Sequence, residues 1–135
     1  MRWEIMIPEP AMKALNNTID NVLTLTMNDI VNDIVEHCPV DTGFTRTTVW
    51  GEVKDKTIVV HAGGAIYYIE YGTPPHEIRP KNKKALHWEG AEHPVKVVKH
   101  PGTKPNPIVR SAMHRGLLEY LPNRFNEEMN RLWAG

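Results

Sequence analysis

The sequence has very little cysteine and very little serine. Cys38 is the only cysteine and Ser111 the only serine. One cysteine cannot form a disulfide within the chain, and such usage is typical of proteins kept in a reducing compartment. Ser111 has none of the glycine-flanked context of a hydrolase nucleophile, so the sequence does not indicate a serine hydrolase.

The chain also lacks a long hydrophobic run. Nowhere do about 18 apolar residues follow one another, as a membrane-spanning helix requires. The first eight residues, MRWEIMIP, contain too short an apolar stretch for a secretory signal peptide. We therefore expect a soluble protein that is made in the cytosol and has no membrane partner.

Net charge is absent as well, because 16 Lys and Arg residues balance 16 Asp and Glu residues. This balance excludes a polyanion-binding tail or an acidic disordered chain as a description of the whole protein. Residues 1–70 nevertheless carry 5 basic and 10 acidic side chains, whereas residues 71–135 carry 11 and 6. One interpretation is that the acidic and basic side chains simply lie on solvated faces. The other is that an acidic surface of one copy meets a basic surface of the next and sets the register of a head-to-tail contact.

The length of 135 residues predicts a single domain over residues 1–135. Apolar residues spaced three and four apart predict a helix over residues 11–37, ended by Pro39. A second helical pattern follows Pro107, and Pro122 predicts a kink near residues 120–123 because proline cannot donate to the helical ladder.

Alternating residues over 47–53 and β-branched residues over 57–62 predict an antiparallel hairpin, with its turn at residues 54–56. Two further short strands are predicted at 85–88 and 95–99. The order of elements predicts an α+β fold. In it, a long N-terminal helix and a kinked C-terminal helix pack on one face of a small antiparallel sheet of about four strands.

Residues 41–43 (DTG) match the loop that supplies one carboxylate of an aspartic-protease dyad. A small dimeric hydrolase that uses Asp41 is therefore one alternative function. The dyad needs strands around the loop, whereas here a long helical pattern precedes it. Asp41 is equally suited to capping the turn after the helix, with Gly43 tolerating a positive φ.

The seven histidines raise the question of a metal site, but their spacings are not those of zinc ligands, so we expect no metal and no cofactor. Residues 79–84 (RPKNKK) form a basic loop with Trp88 nearby. Such a loop is suited to a nucleic-acid backbone, to solvent or to a protein partner, and a nucleic-acid-binding module is the second alternative function.

Residues 67–75 (YYIEYGTPP) place three tyrosines around Glu70, just before a turn. Tyrosine suits both the packing of a sheet on a helix and a contact between subunits. A carboxylate in so aromatic a segment should be paired with a donor or lie at an interface.

Three segments in series carry a resemblance to a known family: residues 39–43 (PVDTG) with Arg46, residues 68–73 (YIEYGT), and residues 98–104 (VKHPGTK) with Pro107 and Arg110. In order and spacing they resemble the gene-product-ten-like family of long-tailed bacteriophages. Its members are called neck, head-tail connector, tail-completion or minor tail proteins. Thr45, Ala65, Ile108 and Ser111 depart from the family pattern at packing positions.

The resemblance implies a non-enzymatic virion component, assembled in the host bacterial cytoplasm, at the junction of head and tail. It implies a homo-oligomeric ring, six-fold or twelve-fold, through which DNA passes without sequence-specific binding. Its partners would be other copies of the chain and neighbouring head-completion, tail-terminator or tail-tube proteins. The motif residues that the resemblance supplies are Asp41, Thr42, Gly43, Arg46, Tyr68, Glu70, Tyr71, Gly72, Thr73, His100, Pro101, Gly102 and Thr103. We further expect the turns that contain Gly72 and Gly102, together with Lys81, Lys83 and Lys84, to contact a neighbouring ring or subunit.

Overall fold

The structure is a computed structural model, and it describes residues 1–39, 43–79 and 97–134. It confirms the predicted α+β class. The helices are α1 (Glu9–His37), α2 (Gly43–Arg46), α3 (Gly64–Tyr71), α4 (Ile108–Arg115) and α5 (Leu121–Ala134), with a π-helical segment (Gly116–Tyr120) between the last two. The strands are β1 (Trp50–Lys54), β2 (Thr57–His61), β3 (His76–Ile78) and β4 (Val98–His100).

The described strands form two separate two-stranded antiparallel sheets, β1–β2 and β3–β4, instead of one sheet of about four strands. The predicted strand at residues 85–88 lies outside the described residues, and so do residues 95 and 96 of the strand predicted at 95–99. Residues 98 and 99 of that prediction are observed in β4, which extends to His100. The first strand starts three residues later than predicted. Thr47 and Thr48 instead form the turn that follows α2, where Thr48 N–H donates to the Thr45 carbonyl at 3.1 Å.

The chain divides into two compact units. Unit 1 comprises Met1–Gly63 with Ile108–Gly135, and unit 2 comprises Gly64–Pro107. The single domain over residues 1–135 stays a prediction.

Helix α1 is the central element of unit 1. Its 29 residues make a rod of about 43 Å at 1.5 Å per residue. The helix packs against the β1–β2 hairpin and also against α4, the π-helical segment and α5. Helices α4 and α5 therefore pack mainly against α1. The sequence predicted instead that the C-terminal helix would pack on one face of the sheet. The buried side chains of α1 recur at helical spacing: Thr18, Val22, Thr26, Ile30, Asp33 and Ile34.

The hairpin of unit 1 turns at Asp55 and Lys56, as predicted. Both residues have positive φ, 49° and 60°. Two consecutive residues of that kind match the right-handed twist of the strands, which is why such turns are favoured in tight hairpins. Trp50 pairs with His61 across the strands, and their rings stack with centroids 4.0 Å apart.

The C-terminal helix is interrupted by the π-helical segment, which ends two residues before Pro122 and so lies mostly N-terminal to the kink predicted near residues 120–123. Leu121 N–H donates to the Gly116 carbonyl, five residues back. Pro122 has no N–H to continue the regular ladder, and its ring clashes with the preceding turn, so the wider turn accommodates it. Within the segment, Gly116 lies against Ile30, and a Cβ there would be 2.5 Å from Ile30 Cδ1.

Candidate assembly site

Unit 2 brings together two of the three segments that carry the family resemblance. Thr73 N–H donates to the Thr103 carbonyl and Thr103 N–H donates to the Thr73 carbonyl, both at 3.0 Å. Asn106 N–H also donates to the Ile69 carbonyl at 2.9 Å. Residues 68–73 and 100–103, about 30 positions apart in the chain, are therefore held side by side by backbone hydrogen bonds.

Two glycines permit this close approach. Gly72 and Gly102 have φ of 72° and 81°, the left-handed region that other residues adopt at a cost. A Cβ at Gly72 would lie 2.5 Å from the Thr103 carbonyl oxygen, and a Cβ at Gly102 would overlap the Thr73 carbonyl oxygen. Each glycine thus makes room for the other loop's backbone. We call this arrangement of Gly72, Thr73, Gly102 and Thr103 the loop clamp.

The first loop of the clamp begins immediately after α3 (Gly64–Tyr71) in the chain. This helix was not predicted from the sequence. Gly72 N–H donates to the Tyr68 carbonyl at 2.8 Å and ends the helix in the usual way for a glycine with positive φ. Tyr67, Tyr68 and Tyr71 are each more than half exposed. The Tyr67 ring lies 5.7 Å from Tyr68 and 4.9 Å from Tyr71, so the three rings form one cluster on the surface.

Glu70 behaves differently from the tyrosines beside it. It is only 3% exposed, so its carboxylate lies inside the folded chain. The large exposed side chains of α3 are therefore its tyrosines, whereas Glu70 is a buried acidic residue of the same helix.

His76 and His100 face each other across the β3–β4 pair, with ring centroids 4.8 Å apart. His76 Nδ1 lies 2.9 Å from the Pro74 carbonyl, to which it donates in the tautomer protonated at Nδ1. His100 Nδ1 accepts from Gly102 N–H at 3.0 Å, which keeps the proton of the neutral ring on Nε2. His100 thus stabilises the turn of the loop clamp through Gly102. Pro101, which lies between these two residues in the chain, is exposed.

The third predicted segment belongs to unit 1 and is only partly described. Asp41 and Thr42 lie outside the described residues, and so do Lys81, Lys83 and Lys84 of the basic loop. Gly43 and Arg46 are the two ends of α2. Arg46 Nη2 donates to the Cys38 carbonyl at 2.9 Å, so Arg46 satisfies a carbonyl left at the C-terminus of α1. Arg79, the first residue of the basic loop, forms an exposed ion pair with Glu77 at 2.8 Å.

Sequence reasoning missed a polar cluster around Asp33 in unit 1. The Asp33 side chain is 2% exposed and accepts hydrogen bonds from Arg115 Nε and Arg115 Nη2, both at 2.6 Å, and from the Tyr120 hydroxyl. His37 Nδ1 lies 2.9 Å from the same carboxylate. One turn away, Arg124 donates to both oxygens of Asp29 at 2.8 Å. The only signal in the sequence was the spacing of two aspartates, four residues apart, on the polar side of α1.

The Asp33 cluster fixes the ionisation of its members. The hydrogen bonds from Arg115 hold the pKa of Asp33 below its ordinary value, although burial opposes them. The bond to Asp33, together with desolvation, raises the pKa of Tyr120. An open cleft of about 390 Å³ adjoins the cluster between α1 and α5. The Asp33 carboxylate is ionised, and its oxygens already accept hydrogen bonds from Arg115 and Tyr120, so it is poorly suited to transfer protons to a bound molecule.

Within the described ranges, no group of three His, Cys, Asp or Glu side chains is placed to hold a metal ion. No helix in that part of the chain is long and apolar enough to cross a membrane. No protein-family model matches the sequence, and no curated protein and no solved structure is detectably similar to it.

Proposed function

We propose that this chain is a structural protein of a long-tailed bacteriophage. In this proposal, copies of the chain form a ring at the head-tail junction, as a neck or tail-completion component. The ring surrounds the DNA channel and joins portal-side proteins to the tail. The chain acts by binding copies of itself and other particle proteins, not by transforming a substrate.

The observation that carries the proposal is the surface formed by α3 and the loop clamp. Two of the three segments on which the family resemblance rests converge there, through the paired backbones of Thr73 and Thr103. Three clustered tyrosines are exposed beside the clamp. Tyrosine is enriched at protein interfaces because its large ring buries area while its hydroxyl still finds a partner. A helix with exposed aromatic side chains, next to two loops joined by backbone hydrogen bonds, is a surface suited to binding another protein.

Charge is unevenly distributed along the chain, since residues 1–70 are predominantly acidic and residues 71–135 predominantly basic. Part of this asymmetry is satisfied within unit 1, where Arg115 pairs with Asp33 and Arg124 with Asp29, and the remaining charges are available for a contact between copies. A head-to-tail contact places different surfaces of two copies together, and opposite charges on those surfaces favour one register. Contacts that are individually weak suffice in a closed ring, because the last contact forms within an already connected assembly.

The test is complementation of a phage from which the gene for this chain has been removed. We expect cells that lack the chain to accumulate unjoined heads and tails in electron micrographs, and the wild-type chain to restore joined particles. A variant with Tyr67→Ser, Tyr68→Ser and Tyr71→Ser should fold but not restore them. The matched control, Leu117→Ser with Leu118→Ser, alters exposed apolar residues of unit 1 and should restore joined particles.

Two results would overturn the proposal. One is the recovery of joined, infectious particles without the chain. The other is the absence of the chain from purified particles when the wild-type gene is present.

A further inference from the structure

The first eight residues form an arm that precedes α1 and has neither helix nor strand. We call residues 1–8 the N-terminal arm. Its large apolar side chains are almost fully exposed: Trp3 84%, Ile5 94% and Met6 91%. The arm's ion pair, between Arg2 and Glu4, is internal to the arm. A chain that leaves this many large apolar side chains in water has a segment suited to burial against another surface.

Two prolines direct the arm away from its own helix. Pro8 caps α1 with φ −65° and ψ 151°, and its carbonyl accepts from Met12 N–H at 3.0 Å. Pro10 lies in the first helical turn. A residue before proline is disfavoured in the helical region, so Ile7 is restricted to an extended conformation. The chain is thus extended where the arm meets α1, and the exposure of Trp3, Ile5 and Met6 shows that the arm does not pack along its own helix.

Unit 1 also carries an open apolar groove, of about 370 Å³, between α1 and α5. We call it the apolar groove, and its lining residues are Ile19, Val22, Leu23, Leu121, Pro122 and Phe125. No residue of α5 is buried, and Phe125 is among its exposed apolar side chains. The apolar face of α5 is therefore only partly covered by α1.

We propose that the N-terminal arm of one copy occupies the apolar groove of a second copy. This inference rests on the proposed function, because it names the contact by which neighbouring copies join. Along α1, the groove begins at Ile19, about 15 Å beyond Glu9 at 1.5 Å per residue. An extended arm of eight residues spans about 26 Å.

Alternate side chains of an extended arm share one face, so Trp3, Ile5 and Ile7 can enter the apolar groove of a second copy together. An aromatic side chain such as Trp3 alone buries about 150–250 Å². The contact is smaller than a complete specific interface, so it joins two copies in combination with the other contacts of a closed ring. Each copy gives one arm and offers one groove, so the exchange can continue around a ring.

Disulfide trapping between chains tests the exchange. Cys38 is buried, so it does not compete with introduced cysteines. One full-length preparation carries Ile5→Cys and a second carries Phe125→Cys. After mixing and mild oxidation, we expect a crosslinked dimer that joins the two variants, at a yield at least ten-fold above a control pair of Ile5→Cys with Leu117→Cys. Leu117 is exposed but lies outside the groove.

Three results would contradict the exchange. The first is a crosslink yield no higher than that of the control pair. The second is a crosslink within one chain when both cysteines are placed in the same dilute molecule, because the arm would then occupy its own groove. The third is unchanged self-association of a variant with Trp3→Ser and Ile5→Ser, for which we expect at least ten-fold weaker association.

These results are separable from failure of the proposed function. If the arm variant assembles normally and its particles are joined, the arm exchange is wrong while the role at the head-tail junction stands. If particles form normally without the chain, the proposed function fails, whatever the crosslinking shows.

Discussion

Arg115 donates two hydrogen bonds of 2.6 Å to the two carboxylate oxygens of Asp33, across a separation of 82 residues in the chain. This pair of hydrogen bonds joins the end of α4 to the C-terminal part of α1. Asp33→Asn removes the charge and half of the acceptor capacity while keeping the shape. We expect a loss of about 2–3 kcal/mol in the free energy of unfolding, measured by urea denaturation at pH 7.

Asp20→Asn is the matched control, because Asp20 is also on α1 and pairs with Lys56 at 2.6 Å, but both side chains are well exposed. Exposed ion pairs contribute between 0 and about 1 kcal/mol. Equal effects of the two substitutions would show that the Asp33 cluster does not stabilise the fold.

The Asp33 cluster also predicts how stability changes in acid. Since the pKa of Asp33 is lower in the folded chain than in the unfolded one, its contribution is complete above the unfolded value of about 4. It is lost as the pH falls from there through the folded value. The difference in unfolding free energy between the wild type and Asp33→Asn should therefore shrink between pH 5 and pH 3. A difference that stays constant over this range would contradict the assigned ionisation.

Tyr120 predicts the opposite behaviour in alkali. Its pKa is raised in the folded chain, so its contribution is complete below the ordinary value of about 10 and is lost as the pH rises through the folded value. Tyr120→Phe should lower the unfolding free energy by about 1–2 kcal/mol at pH 7. Relative to the wild type, this loss should diminish above pH 10.

Tyr67→Phe controls for the removal of a tyrosine hydroxyl at pH 7, because Tyr67 is exposed on α3. We expect it to change the unfolding free energy by less than about 0.5 kcal/mol. A loss for Tyr120→Phe that grows above pH 10 would show that the hydroxyl does not donate to Asp33.

The loop clamp predicts a large effect of one added methyl group. Gly102→Ala places a Cβ against the Thr73 carbonyl and forces alanine to a φ of 81°. We expect it to destabilise unit 2 by about 2 kcal/mol or more, since the left-handed conformation alone costs about 1–2 kcal/mol. Hydrogen exchange of the Thr73 and Thr103 amides should accelerate accordingly.

Gly64→Ala is the matched control in the same unit. A Cβ at Gly64 meets nothing within 4 Å, and alanine is the better residue in a helix. We expect unchanged or slightly slower exchange at both threonines. Unchanged exchange in Gly102→Ala would mean that the two loops are not held together as described.

The sequence was most informative where one local signal decides the structure. The periodicity of α1, the turn after Lys54 and the interruption before Pro122 each arise from neighbouring residues, and all three are observed. Helix α3 was not predicted, because tyrosine and isoleucine are only moderate helix formers and residues 67–71 show no clear period. Neither was β3, whose three residues are all exposed.

The contacts that build the candidate site could not be predicted, because they join distant parts of the chain. Thr73 pairs with Thr103 across 30 positions, and Asp33 accepts hydrogen bonds from Arg115 across 82, so no local pattern indicates either contact. The sequence nevertheless identified Gly72 and Gly102 as turn residues. It gave no indication that each glycine makes room for the backbone of the other loop.

The account depends most on self-association, and the native mass of the purified full-length chain over a range of concentrations tests it most directly. We predict one dominant species of six or twelve copies, with few intermediates, because a closed ring satisfies every contact at once. A single-chain mass at every concentration up to the solubility limit would contradict the account.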